Sequence, residues 1–316
     1  MAVLNTVLNT TLTRSRKKLV IAAMQSNALM AWMFASGRVE KESTGYNITN
    51  PLLVGRNPTV GSYQYYDALQ VQQTDEFTMV EYFWSRVAGT VIVSQQEVDE
   101  NSGEAATTKL FAGKLEALEI SFKEKFTSYL YGIAVGTDPN GLGNLIPDDP
   151  TVGTYAGQNL ATQPQWRTSS YDFGNGLNSN VIEEAYDDVL LDLTQGSEKP
   201  KVIIAGRNQY RIYRAAARDK TVIQLGEKQS GKRMVDLGFT GISHQGTPII
   251  YDESCPVDKA YFINDTYMRM HILKDNNMKN VKLTAPWNID GFGERVIWQG
   301  QFCSWKNYRT HAVVND

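Results

Sequence analysis

Along the middle of the chain the apolar side chains Phe111, Leu115, Leu118, Phe122, Phe126, Tyr129 and Ile133 recur at steps of four, three, four, four, three and four. That is the spacing of one helix face held over many turns. It predicts a single helix over roughly residues 101–133, about 45 Å long at 1.5 Å per residue and well beyond the usual three to four turns. Asn101 with Glu104 three residues later has the form of a capping box and marks the start. The steps average above 3.5 and do not repeat as heptads, which separates the element from a coiled coil. Gly113 lies inside it at a cost of about 1 kcal/mol, which packing of the stripe has to outweigh.

The segments on either side follow other patterns. Leu19, Ala22, Ala23, Leu29, Met30, Met33 and Phe34 suit a short amphipathic helix that packs either on a partner or on its own domain. Arg14, Arg16, Lys17 and Lys18 precede it, but Gln25, Ser26 and Asn27 end the apolar run after six residues. The run is too short for a membrane span, and no signal peptide is expected. Residues 41–80 carry Pro51, Pro58, Gly45, Gly55 and Gly61, which disfavour helix. Their later alternation predicts a long two-stranded arm. Its aromatic and aliphatic side chains would be exposed on a monomer, a liability unless another subunit covers them. Val87–Val93 reads as a strand.

Residues 137–178 are rich in Gly, Pro, Asp, Asn and Thr and read as loop, anchored by Trp166 and Arg167. A helix is predicted over Val181–Thr194, capped by Asn180 with Glu183 and ended by Gly196, its core face being Ile182, Ala185, Val189 and Leu193. A strand at Lys201–Ala205, a turn at Gly206, a helix over Asn208–Arg218, and the strand-like TVIQL and TPIIYD complete an α+β unit. The remainder is β-rich: AYFIND, YMRMHIL, VKLTAP and ERVIWQGQFCSWKNYRTHAVV. In the last run Val296, Trp298, Phe302 and Tyr308 share one parity, with Gln299 and Gln301 on the other.

Composition narrows the function. The 316 residues are 42% apolar and 21% charged, with a formal net charge of −3, enough to bury a large core and unlike a basic nucleic-acid-binding domain. Cys255 and Cys303 lie far apart, so neither a disulfide framework nor a zinc site is expected. His244, His271 and His311 lack ligand spacing and read as ordinary surface or half-buried residues. Ser243 beside His244 lacks a nucleophile elbow. Asp148-Asp149 reads as a turn and Asp187-Asp188 as a solvated helix face.

GEKQSGKR, residues 226–233, imitates a phosphate-binding loop, and PIIYDE at 248–253 its acidic partner strand. Arg233 stands where a magnesium-binding hydroxyl belongs. Gly238, Gly241, Gly246 and Pro248 forbid the helix whose N-terminal amides would hold phosphate. A nucleotide-binding enzyme is therefore the least favoured of three readings. Arg207, Arg211, Arg214 and Arg218 align on one helix face, suited to ion pairs with a neighbouring subunit or to a solvated face more than to nucleic acid. No catalytic residue, cofactor site or metal site is expected.

The order of elements, with VIVSQQEVDENSGEAATTKLFAGKLEALEISFKEKF, GLGNLIP, WRTSS, KVIIAGRNQYRIYR and GTPIIYDESCPVDKAYFIN, resembles tailed-bacteriophage major capsid proteins of the Hong Kong 97-like fold. The resemblance implies an N-terminal arm at 1–40, an extended β-hairpin loop at 41–80 lying over a neighbouring subunit, and a peripheral domain at 81–144 that carries the long spine helix and is completed by 271–316. An axial domain at 145–270 would gather around capsomer axes. The implied protein is a structural, non-enzymatic subunit of an icosahedral virion shell, assembled in the host bacterial cytoplasm as pentamers and hexamers. It would enclose double-stranded DNA by weak non-specific contact, with scaffolding, portal and decoration proteins as further partners and no membrane. An encapsulin-like bacterial nanocompartment shell is the alternative. Some members of the family cross-link through a lysine of the extended loop, but no lysine lies between Lys41 and Lys109, so that bond is not expected. The chain opens almost directly on the arm, so a separate scaffolding protein is expected unless the sequence is that of an already processed chain.

Overall fold

The computed structural model describes residues 27–316 except 44, 54, 56, 70, 74, 101–103, 175, 220–241, 284–290 and 305–310. The first described element is α1 (Ala28–Ala35), whose N-cap is Asn27: its side-chain carboxamide accepts from the Leu29 and Met30 amides. The expected helix from Leu19 to Phe34 is thus corrected at Asn27, which starts a helix instead of lying within one, because its side chain satisfies amides that have no partner inside the first turn. Ala28, Leu29, Met30, Trp32 and Met33 are all buried, so of the two packing options the helix takes its own domain. Residues 19–26 lie outside the described set.

Four strands follow: β1 (Val39–Glu42), β2 (Asn47–Leu53), β3 (Phe77–Phe83) and β4 (Ser85–Ser94). After the short α2 (Gln95–Glu100) comes α3 (Glu104–Tyr131), 28 residues and so about 42 Å long. Its expected cap at Asn101 lies outside the described residues. Phe111, Leu115 and Phe122 of the stripe are buried and Leu118, Phe126 and Tyr129 half-buried, packed against the odd-numbered face of β4 and the aromatic ring of Trp298. Each fully buried side chain of this size contributes about 1.5–3 kcal/mol. Ile133 departs from the expected stripe and is 69% exposed. The chain leaves the helix at Gly132, and Leu130 and Tyr131 occupy the core in its place.

The GLGNLIP exit forms the single-turn α4 (Leu142–Leu145), followed by the ribbon β5 (Thr154–Tyr155) and β6 (Gln158–Asn159). Trp166 is fully buried, and Arg167 donates through Nε to the Leu160 carbonyl and through its guanidinium to Ala161. This supports the anchoring role read for the pair. Next come β7 (Ser169–Asp172), α5 (Ile182–Leu193), β8 (Val202–Ala205) and α6 (Arg207–Asp219). The cap of α5 is corrected: Val181 is the N-cap and makes no side-chain capping bond, while Asn178 accepts the Asn180 amide on its side chain. The predicted core face of α5 is fully buried. TVIQL and residues 226–233 lie outside the described set.

The rest is β9 (Ile242–His244), β10 (Thr247–Tyr251), β11 (Lys259–Ile263), β12 (Met268–Leu273), β13 (Lys279–Leu283), β14 (Gly291–Ser304) and β15 (Ala312–Asn315). They build two main sheets. In the five-stranded sheet β14 is central, with β4 along residues 291–300 and β13 and β12 sharing its other edge; β1 pairs parallel to β12. The second sheet has the order β7-β15-β11-β8-β10-β9. β15 therefore joins β11 and β7, although the sequence grouped it with β14 in one run. Its unbroken apolar triplet Ala312, Val313, Val314 suits a strand covered on both faces.

The six-stranded sheet is indeed covered on both sides. Val202, Ile204, Ile250, Tyr261 and Val313 face the core shared with α1 and the end of α3, while Ile203, Ala205, Ile249, Phe262 and Val314 face α5 and α6. β14 shows the same. Val296, Trp298 and Phe302 are buried as expected, yet Gln299 and Gln301 on the opposite parity are buried too. Gln301 donates to the Phe83 carbonyl and accepts from the Asn140 amide, and Gln299 accepts from Arg86 and Asn276. Among the described residues no helix is long and apolar enough to cross a membrane.

Candidate functional site

The strongest functional geometry is a surface, and it is built by the hairpin of β2 and β3. The strands pair antiparallel from Asn47 opposite Phe83 to Leu53 opposite Phe77. One face buries Leu52, Val80 and Tyr82. The Tyr82 hydroxyl donates to the Ser304 carbonyl, and burial pushes its pKa well up, so it remains a neutral donor. The ribbon of β5 and β6 is tied on as well: Glu81 donates its amide to Ala156, and Gln158 donates to Met79.

The other face presents Leu53, Phe77, Met79 and Phe83 to solvent. Beyond the strands the projecting residues include Val60, Tyr63, Leu69 and Val71, all exposed, with Tyr65 and Tyr66 at 101% and 102% exposure. Their backbone is organised by local turns, in which Asn57 accepts from the Thr59 amide and Gln64 donates its amide to Asp67. Thr49 and Glu81 interrupt this face, yet monomeric proteins rarely leave so many large apolar side chains exposed on one projection. A two-stranded hairpin lies in the stretch read as an arm at 41–80, with two differences: residues 39–42 form β1, a strand of the five-stranded sheet, and β3 continues to Phe83.

The candidate chemical groups sit elsewhere. All three histidines are buried, which corrects the expectation of surface or half-buried positions. His244 bridges Asp187 (Nε2 to Oδ1, 2.8 Å) and the Tyr213 hydroxyl (Nδ1, 2.9 Å), joining α5, α6 and β9. Asp187 also accepts from Gln245, so it is not a purely solvated residue, whereas Asp188 is exposed. His311 accepts the Asn264 amide on Nδ1, and burial lowers its pKa to about 3. His271 lies 3.2 Å from Glu42 and 3.8 Å from Glu40 across the β1–β12 pairing. Burial depresses its pKa in spite of these carboxylates. The ligand atoms of this trio lie within 4.8 Å of one another, the arrangement among the described residues that could hold a cation. The Arg269 guanidinium already pairs with Glu40 and supplies positive charge there.

Asp148 pairs with Lys259 at 2.5 Å, while Asp149 makes the expected turn by accepting from Thr151. Both cysteines are buried free thiols, and burial raises their pKa. Asp252, read as part of an imitation nucleotide motif, is buried and accepts from the Ala28 amide and the Tyr131 hydroxyl. It holds α1 to the end of α3, a role without local sequence signal, since its partners are 224 and 121 residues away. Arg207, Arg211 and Arg214 project from α6 into solvent; the Arg218 side chain lies outside the described set.

No family model matches the sequence, and no curated protein matches it. Solved structures do. A subunit of the cyanophage A-1(L) capsid aligns with a TM-score of 0.63 at 16% identity, over 88% of this chain and 90% of the other. The chain has the Hong Kong 97-like fold. The capsid of an empty GTA particle aligns at 0.56 and 9% identity over 89% and 95%. A Synechococcus elongatus encapsulin, SrpI, aligns at 0.53 and 12% identity over 90% and 86%. The long α3 and the projecting β2–β3 hairpin are the elements for which the sequence resemblance implied a spine helix and an extended loop.

Proposed function

We propose that this chain is a major capsid protein, self-assembling in many copies into the icosahedral head shell of a tailed bacteriophage around double-stranded DNA. The observation that carries the reading is the apolar outer face of β2–β3 with its projecting tyrosines, on a fold whose solved examples include capsid subunits. Covering that face on a neighbouring subunit removes it from water and makes assembly favourable. The protein acts structurally and not as an enzyme. Its division is into an arm, an extended loop, a peripheral domain around α3 and an axial domain around the six-stranded sheet, with the expected bounds revised so that 312–315 belongs to the axial domain and 39–42 to the peripheral one. Scaffolding, portal and decoration proteins are its further partners, and DNA contact is weak and non-specific, in keeping with a net charge of −3. The virion is its final location and the host cytoplasm its site of assembly.

Expression in bacteria followed by electron microscopy tests this reading. Closed shells of uniform size are expected, and a chain that stays monomeric under all assembly conditions would overturn it. The likeness to an encapsulin over 90% of this chain favours a second reading, an enzyme-loaded compartment. Shells that copurify with one host enzyme in place of nucleic acid would select it.

A further inference from the structure

Two charged stripes of opposite sign lie on neighbouring helices and do not pair with each other. On α6, Arg207, Arg211 and Arg214 are exposed, and none forms an ion pair among the described residues. On α5, Glu184, Asp188 and Asp192 are exposed at steps of four. The helices meet through their buried sides, where Tyr186 stacks on Tyr213 and donates its hydroxyl to Gln209. This packing turns the charged stripes outward and away from each other. Asp192 accepts from the Tyr171 hydroxyl at 3.1 Å, which fixes the end of the acidic stripe.

We infer that the arginine stripe of α6 in one copy docks on the acidic stripe of α5 in the next copy around a ring, resting on the shell reading above. Lengths match: at 1.5 Å per residue the basic stripe spans about 10 Å and the acidic one about 12 Å, each with one charge per turn. Arginine forks are suited to carboxylates spaced in this way. Leu191, 67% exposed, adds an apolar contact at the flank of the acidic stripe near its end. A two-fold contact of either stripe with itself would bring like charges together. Two different, complementary patches facing apart on one chain suit a head-to-tail contact, which closes into a ring when the rotation between copies allows it.

Charge reversal with rescue is the test. Arg211→Glu with Arg214→Glu, and separately Glu184→Lys with Asp188→Lys, should each lower shell yield about tenfold or more through like-charge repulsion, as counted by electron microscopy and sedimentation. The chain carrying all four substitutions should recover shells. Circular dichroism and the unfolding midpoint establish that each variant is folded. For any that is not, Arg211→Gln with Arg214→Gln replaces it, with reduced yield and a weaker salt dependence of assembly expected. Wild-type yield from the reversed pairs, or no recovery in the folded fourfold variant, overturns the inference and leaves the shell reading intact. Normal shells that have lost only their DNA would assign the arginines to nucleic acid instead. A wild-type chain that never assembles overturns the shell reading and this inference with it.

Discussion

Asp252 ends an apolar strand, and only the folded chain reveals that its carboxylate holds two distant elements together. His311 is a second such residue, and its burial has a measurable consequence. The unfolded chain takes up a proton on this ring near pH 6.5, the folded chain only near pH 3. Its contribution to stability is therefore complete above about pH 6.5 and is lost as pH falls towards 3, amounting to about 2 kcal/mol by pH 5. Urea unfolding at pH 7 and pH 5 measures this. His311→Gln should lower stability at both values and shrink the difference between them by about 2 kcal/mol, leaving the part due to His271, and an unchanged difference would contradict the assignment. At Gly89 of β4, a Cβ would come within 2.5 Å of Leu118 and 2.6 Å of Phe122. Gly89→Val is expected to cost about 1–3 kcal/mol by forcing α3 off the sheet, read as a lowered melting temperature. Nothing in the sequence marked this glycine, since close approach is a property of two elements and not of one.

At the scale of the element, α3 was legible because its period is local: seven apolar positions on one face define a helix before any partner is known. The end was misplaced, since Ile133 keeps the period while Gly132 leaves the helix. The hairpin of β2 and β3 was legible as an arm from its prolines, glycines and alternation, and its apolar outer face makes a clear separation of roles. Tyr65→Ser combined with Tyr66→Ser should leave the unfolding free energy within about 0.5 kcal/mol of wild type, because both side chains are fully exposed and contribute no core contact. The same variant should form far fewer particles in sedimentation. A drop in stability with undiminished assembly would show that the tyrosines serve the monomer.

For the whole molecule, the absence of lysine between Lys41 and Lys109 carries a direct expectation. Assembled shells boiled in detergent should run as a single band near 35.4 kDa, and a ladder of multiples would contradict the lack of cross-linking through the extended loop. The sequence by itself determined the α+β class, the long helix and the projecting two-stranded segment, because periodicity, turn residues and composition act over a few neighbours. Tertiary structure decided that β15 leaves β14 for the other sheet, that Gln299 and Gln301 are buried beside the apolar parity, and that three histidines spaced like surface residues lie inside. It also decided that the arginines of α6 and the carboxylates of α5 face outward without meeting. Each depends on which strands and helices come together across many residues, and the energy of burial that selects those pairings is invisible to any short stretch of the chain.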